Sequence, residues 1–388
     1  MTKQHKILAY FLPQFHECPF NNKWWGKGFT EWNNVQAAQP LKDGHYQPRV
    51  PADGYYDLTD DGILQQQFSH ARDHGVDGFA IYHYWYDGER PLGKPLDKIL
   101  ADPSIDVNFS LCWANHSWTR SWKNRRGSAD VLIEQTYASQ KRQREKHYAY
   151  LLKAFSDRRY IDINGRPLFQ IYIPEDVEDL EQYIDGLRDF VRTRSGLELH
   201  IAATVRSRQA SYDYLRHFDS LTLAQPTLAL FADDNLFAPR VAVPPMQKFF
   251  REKALQLPMP LKKLVYNIQD LTPDKPSYFY YDTVWSALLR QTERALETAP
   301  IQVNFSGFTE FDNTPRYVQR AKVIEGFSPE KFGHFMTRLI ELARTQSSSV
   351  LFINAWNEWG EGMHLEGDQK YPDGRLVALK NALSSVDG

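Results

Sequence analysis

Short apolar runs recur along this chain, each followed by a polar or aromatic loop and then by helical spacing. The runs are Ile7–Leu12, Gly78–Tyr84, Asn108–Ala114, Pro167–Ile173, His200–Val205, Leu221–Gln225, Ile301–Phe305 and Val350–Asn354. Continuous apolar stretches rich in β-branched and aromatic residues suit strands buried on both faces. Helical spacing follows in Asp60–His74, stopped by Gly75, then in Ser139–Asp157, Asp176–Arg194, about Gln209–Phe218, Asp282–Thr298 and Gly374–Ser384. Ser328-Pro329 adds the start of another, with a serine N-cap and a proline in the first turn. Eight strands alternating with helices predict one parallel α/β domain over 1–388, most economically a (β/α)₈ TIM barrel. An open doubly wound sheet is the alternative, but no glycine fingerprint follows the first strand. The rhythm breaks over about 227–280, where prolines, a helical run (Met246–Leu255) and a strand-like run (Leu264–Ile268) predict an insertion after strand six.

Bulk properties narrow the partners. A length of 388 residues also fits two or three domains, yet no linker, repeat or low-complexity tract divides the chain. A net charge of −2 with both signs interspersed points to neither nucleic acid nor an anionic membrane. The first apolar segment is broken by Pro13 and is too short for a signal-peptide core or a membrane span, so a soluble, cytoplasmic chain is expected. Cys18 and Cys112 are too few for a disulfide framework. The 10 Trp, 21 Tyr and 23 Phe supply rings that stack on sugar faces, although rings also fill cores.

The polar and aromatic residues cluster after the strands: His16, Trp24 and Glu31, then His83 and Trp85, Asn115 and Trp118, Glu175, Arg206, Gln225, Glu310 and Asp312, and finally Glu358 and Glu361. In a barrel those loops converge on one face, giving a pocket of rings, carboxylates and amides suited to a carbohydrate. No glycine-rich loop or basic cluster prepares a phosphate site, and the histidines are scattered, so neither a metal nor a cofactor is expected. Glycosidic cleavage uses one carboxylic acid to protonate the departing oxygen and a second, ionised carboxylate at the positive centre. Glu358 and Glu361, three residues apart among Trp356, Trp359 and glycines, fit that need. Glu175 and Glu310, after strands four and seven, form a competing pair.

Several motifs together resemble the WbsX-like proteins: Tyr10-Phe11-Leu12-Pro13-Gln14-Phe15-His16, Trp24-Trp25-Gly26-Lys27-Gly28-Phe29-Thr30-Glu31-Trp32, Tyr82-His83-Tyr84-Trp85-Tyr86, Cys112-Trp113-Ala114-Asn115, Phe311-Asp312-Asn313-Thr314-Pro315-Arg316 and Asn354-Ala355-Trp356-Asn357-Glu358-Trp359-Gly360-Glu361-Gly362. That bacterial group accompanies polysaccharide and O-antigen genes and is related to glycoside hydrolase family 99, the endo-α-mannosidases and endo-α-mannanases. The resemblance implies a metal-free, retaining glycosidase barrel acting on an oligo- or polysaccharide, with Glu358 as base towards the sugar 2-hydroxyl and Glu361 as acid/base. Substrate contacts are expected at Tyr10, His16, Trp24, Trp25, Glu31, Trp32, Tyr82, His83, Trp85, Trp113, Asn115, Trp118, Asp312, Arg316, Asn357, Trp359 and His364. One departure stands out: family 99 carries histidine between the tryptophan and the second glutamate, where this chain has Gly360. A glycosyltransferase that builds such a polysaccharide, and a non-catalytic glycan-binding barrel, are the alternatives.

Overall fold

The computed structural model describes residues 5–119, 131–137, 141–207, 209, 211–231, 275–346 and 349–387. Eight parallel strands run in chain order: β1 (His5–Phe11), β2 (Gly78–His83), β3 (Phe109–Trp113), β4 (Arg166–Ile171), β5 (His200–Val205), β6 (Ser220–Leu223), β7 (Gln302–Phe308) and β8 (Ser349–Asn354). Each pairs with its sequence neighbours, and β1 pairs with both β2 and β8, so the ring closes as a TIM barrel. The predicted strands are all present, with ends shifted by at most three residues.

Helices Ile63–Asp73, Lys94–Ala101, Lys141–Phe155, Leu180–Ser195, Tyr281–Thr298, Pro329–Arg344 and Gly374–Asp387 surround the strands. The Ser328 side chain caps one of them, accepting from the Lys331 N–H at 3.3 Å. The segment around Gln209–Phe218 forms only a 3₁₀ turn, Asp213–His217. At the edges of the insertion after β6, Thr227–Phe231 is helical and Ser277–Tyr280 pairs in parallel with Lys322–Glu325. Met246–Leu255 and Leu264–Ile268 lie outside the described residues.

The strands are buried on both faces; every residue of β3 and β5 is inaccessible. Outside the barrel, Trp285 stacks between Phe308 of β7 and Phe335 with ring centroids 5.0 and 5.4 Å away. Gly307 makes that approach feasible, since a Cβ there would meet Trp285 and Met336 at 3.0 Å. Inside, the Tyr10 hydroxyl donates to Gln170 Oε1 at 2.9 Å and Gln170 Nε2 donates to Thr204 Oγ1 at 3.1 Å. These buried polar groups satisfy one another and form a floor beneath the C-terminal ends of the strands. Among the described residues, no helix is long and apolar enough to cross a membrane.

Candidate active site

A cavity of about 480 Å³ opens at the C-terminal face of the barrel. All eight strand ends contribute to its wall: Tyr10, Tyr82, Ala114, Tyr172, Thr204 with Arg206, Gln225, Arg316, and Glu358 with Glu361 after β8. The volume lies in the usual range for a small-ligand pocket. Trp25 and Phe29 from the first loop and Trp118 after β3 add rings at the rim.

The loop after β8 is held to its neighbours by backbone and amide bonds. Asn357–Glu358 and Met363–His364 form a two-residue antiparallel ribbon, bridged by a 3₁₀ turn over Trp359–Glu361. Asn357 takes the Leu12 N–H on its Oδ1 at 2.8 Å and donates to the Leu12 carbonyl at 3.1 Å. The Asp312 N–H donates to the Glu361 carbonyl at 2.7 Å. Gly362 has φ +65°, and a Cβ there would press on the Asp312 backbone at 3.1 Å. Two adjoining loops thus fix the turn that aims both glutamates into the cavity.

Arg316 ties the carboxylates together. Its Nη2 lies 2.9 Å from Glu358 Oε1, its Nη1 3.1 Å from Glu361 Oε1, and its Nε donates to Glu31 Oε1 at 2.9 Å. Burial works against the guanidinium charge, but the three glutamates outweigh it and hold its pKa well above the ordinary value. Glu358 is 7% exposed, and burial pushes its carboxyl up to about 8, with Arg316 opposing and Glu361 and Glu31 adding to the rise. The Glu361 side chain is more open, at 26% exposure.

Gly360 sits against this cluster. A Cβ at 360 would meet Glu31 Oε1 at closer than any normal contact and Arg316 Nε at 2.7 Å. The space a side chain at 360 would need is therefore taken by the Glu31–Arg316 pair. Gly360→Ala should push that pair aside and lower kcat/KM by about tenfold to a hundredfold, a misplacement effect. A melting temperature unchanged within a few degrees, alongside that loss, would check it.

The structure brings together Tyr10, Trp25, Glu31, Tyr82, Trp118, Arg316, Glu358 and Glu361 of the sequence-predicted site. The others stand outside the cavity wall. His83 and Trp85 face the helix layer, where His83 Nε2 lies 3.0 Å from His147 Nε2 and Trp85 stacks on His147 at 4.6 Å. Trp113 stacks on Tyr183 at 4.9 Å, and Asn115 binds both backbone groups of Ile173 with its amide. Asn357 braces Leu12, as described. Trp359 and His364 stack on each other at 3.8 Å beneath the loop, with Trp359 Nε1 donating to Glu366. Trp32 packs on Phe15 and Tyr56, His16 is buried, and Trp24 lies in the first-loop helix Pro19–Trp25 under the Lys23 ammonium. Asp312 accepts from Gln47 Nε2 at 2.6 Å and lies 2.8 Å from His45 Nε2; burial opposes its charge, yet these partners hold its pKa near 2. Apart from the half-buried Trp24, these residues are buried in the walls around the site. Tyr84, His116, Tyr172 and Thr204 line the cavity without having been predicted as contacts, whereas Arg206 and Gln225, expected among the polar residues that converge there, line it as well.

Glu175 and Glu310 do not meet. Glu175 accepts from Gln209 Nε2 at 3.0 Å, away from the cavity wall. Glu310 is gripped by Arg49 and Arg375, which overcome its burial and keep its carboxyl below the usual range. That pairing makes it a structural anion. Among the described residues, no group of three or more His, Cys, Asp or Glu is placed to hold a metal.

A TIM barrel with two glutamates in a ring-lined cavity at its C-terminal face has the form of a carbohydrate-active enzyme. The chain belongs to the family described as Glycosyltransferase WbsX, whose model it matches over residues 7–379. It is 31% identical over 386 residues to the "Uncharacterized protein WxcX" of Xanthomonas campestris pv. campestris, covering 97% of this chain and 49% of that protein. The chain thus spans about half the length of the curated relatives it matches. In fold it is similar to the GH99 endo-alpha-mannosidase from Bacteroides thetaiotaomicron, with a TM-score of 0.56 at 10% identity, covering 100% of this chain and 98% of that one. A "Glycoside hydrolase-like protein" also superposes with a TM-score of 0.56, at 13% identity over 97% of this chain and 93% of its own.

Proposed function

We propose that this chain cleaves a glycosidic bond in a bacterial polysaccharide, with retention, through Glu358 and Glu361. The observation that carries the proposal is that both side chains line one cavity and share one guanidinium. Glu358 takes the proton of the sugar 2-hydroxyl while O2 attacks C1. The C1–O bond to the leaving group breaks, and Glu361 gives that oxygen its proton. Glu361 then accepts a proton from water, which opens the 1,2-anhydro sugar at C1 as Glu358 returns the first proton to O2. The burial of Glu358 supports its role, because a carboxylate with a raised pKa is the stronger base towards a weakly acidic hydroxyl.

The protonation state supplies a test. The step needs one carboxyl of the pair protonated and the other ionised, so kcat/KM should be bell-shaped in pH and fall on its alkaline side through about 8, where the pair loses its last proton. A profile that stays flat across that range would mean that the two glutamates do not supply the proton transfers. The broader test is a panel of aryl α-mannosides, other aryl glycosides and bacterial polysaccharides, incubated without a nucleotide sugar. Turnover of any of them supports hydrolysis. The family's description as a glycosyltransferase favours a second reading, transfer to a sugar hydroxyl, which predicts product only when a nucleotide-sugar donor is added.

A further inference from the structure

The charges around the cavity do not balance locally. On the β7–β8 side, Arg316 is shared among Glu31, Glu358 and Glu361. On the β4–β5 side stands Arg206, half-buried, its guanidinium 4.7 Å over the ring of Tyr172. Among the described residues no carboxylate oxygen comes within ion-pairing distance of it; Glu175, whose close contact is with Gln209, feels its charge from farther off. Beside it His116 also lines the cavity; burial and the Arg206 charge lower its pKa to about 4, so it is a neutral imidazole at pH 7. Its Nδ1 is buried without a hydrogen-bond partner among the described residues. Tyr172 feels both the Arg206 cation and the Glu361 carboxylate, which places it between them on the wall.

A partly desolvated cation in a cavity wall, next to a neutral hydrogen-bonding ring, is suited to an anionic oxygen pair on the ligand. We infer that the cavity holds an acidic glycan, whose carboxylate or ester phosphate sits on Arg206 beside His116, one sugar away from the bond at Glu361. The inference rests on the proposed carbohydrate site but not on its catalysis. The barrel's own acids make this selectivity useful: an anionic sugar placed at Arg206 is kept off the Glu31–Glu358–Glu361 cluster, so the charge pattern sets the direction in which the glycan lies.

Binding measures the inference directly. The probes are oligosaccharides released from a uronate-containing bacterial polysaccharide, the same pool with its carboxyls reduced to alcohols, and mannose oligomers carrying a phosphate ester. Calorimetry on the intact chain should show the uronate or the phosphorylated pool bound about tenfold to a hundredfold more tightly than the reduced pool, as one charge-assisted contact allows. Which anionic pool gains identifies the substituent. In Arg206→Gln that ratio should fall to about one while binding of the reduced pool persists, and in Arg206→Lys part of it should return. Equal affinity for all pools in the unaltered protein, binding of none, or loss of every pool in Arg206→Gln would overturn it. Selective binding with no cleavage of any pool would remove the hydrolase proposal and leave this one standing. Cleavage of neutral and acidic pools alike would do the reverse.

Discussion

Glu361→Gln should lower kcat by about a thousandfold or more while glycan affinity stays within a few-fold, because removing a general acid/base costs about 10²–10⁴ and two steps depend on it. Glutamine keeps the shape, and its carbonyl oxygen can still take the Arg316 Nη1 contact that now lies at 3.1 Å. The leaving group then separates the two glutamates. An aryl glycoside with an acidic phenol departs without a proton, so the Glu361→Gln loss should shrink on it in the first step. Glu358→Gln should lose as much on both kinds of substrate, since the 2-hydroxyl still needs its base. A 2-deoxy substrate should be inert with the unaltered protein for the same reason. Glu175→Gln, whose side chain is away from the cavity, should stay within a few-fold of the parent. If Glu175→Gln abolishes turnover and Glu361→Gln does not, the pair is misassigned.

The eight strands were legible because a strand buried on both faces leaves an uninterrupted apolar run. The two glutamates were legible because a polar pair abutting such a run is conspicuous. The rings were harder. Trp113, Trp85 and His83 carry the same chemistry as Tyr82 and Tyr84, and composition does not say which face each takes. The two-residue alternation of a strand does: Tyr82 and Tyr84 reach the cavity while His83 and Trp85 reach the helix layer. The same parity puts Thr204 and Arg206 inside. Asn357 and Trp359 resisted that rule because they lie in a ribbon and a 3₁₀ turn rather than in a barrel strand. The threefold engagement of Arg316 was not readable either, since it joins residues 285 positions apart in the Glu31 contact alone. The room for only a glycine at 360 was not readable for the same reason, since the Glu31–Arg316 pair that fills the space comes from two other loops.

Arg316→Met should be the most damaging change outside the two glutamates, and its effect on stability should depend on pH in a defined direction. In the parent, burial alone would favour protonated carboxyls, and the guanidinium opposes this at Glu358 while pairing with Glu31 and Glu361. Without it, buried carboxylates lack a counter-charge, and breaking such a cluster costs about 3–5 kcal/mol. Glu358 escapes part of that cost by keeping its proton, which pushes its folded-state pKa further above the parent's value of about 8. A carboxyl whose pKa is raised on folding stabilises the fold below the unfolded value and loses that contribution as pH rises through the folded one. The variant's melting deficit should therefore be smaller near pH 6, where Glu358 keeps its proton in both proteins, and larger near pH 9, where the parent's Glu358 is ionised against the guanidinium. Arg316→Lys keeps the charge but not the fork that reaches three carboxylates at once, so it should recover much of the pH 9 stability and little of the turnover. Thermal melts at both pH values, with kcat on the same samples, test the two halves separately. An equal melting deficit at pH 6 and pH 9, or full turnover from the lysine variant, would mean that the guanidinium neither balances nor orients the glutamates.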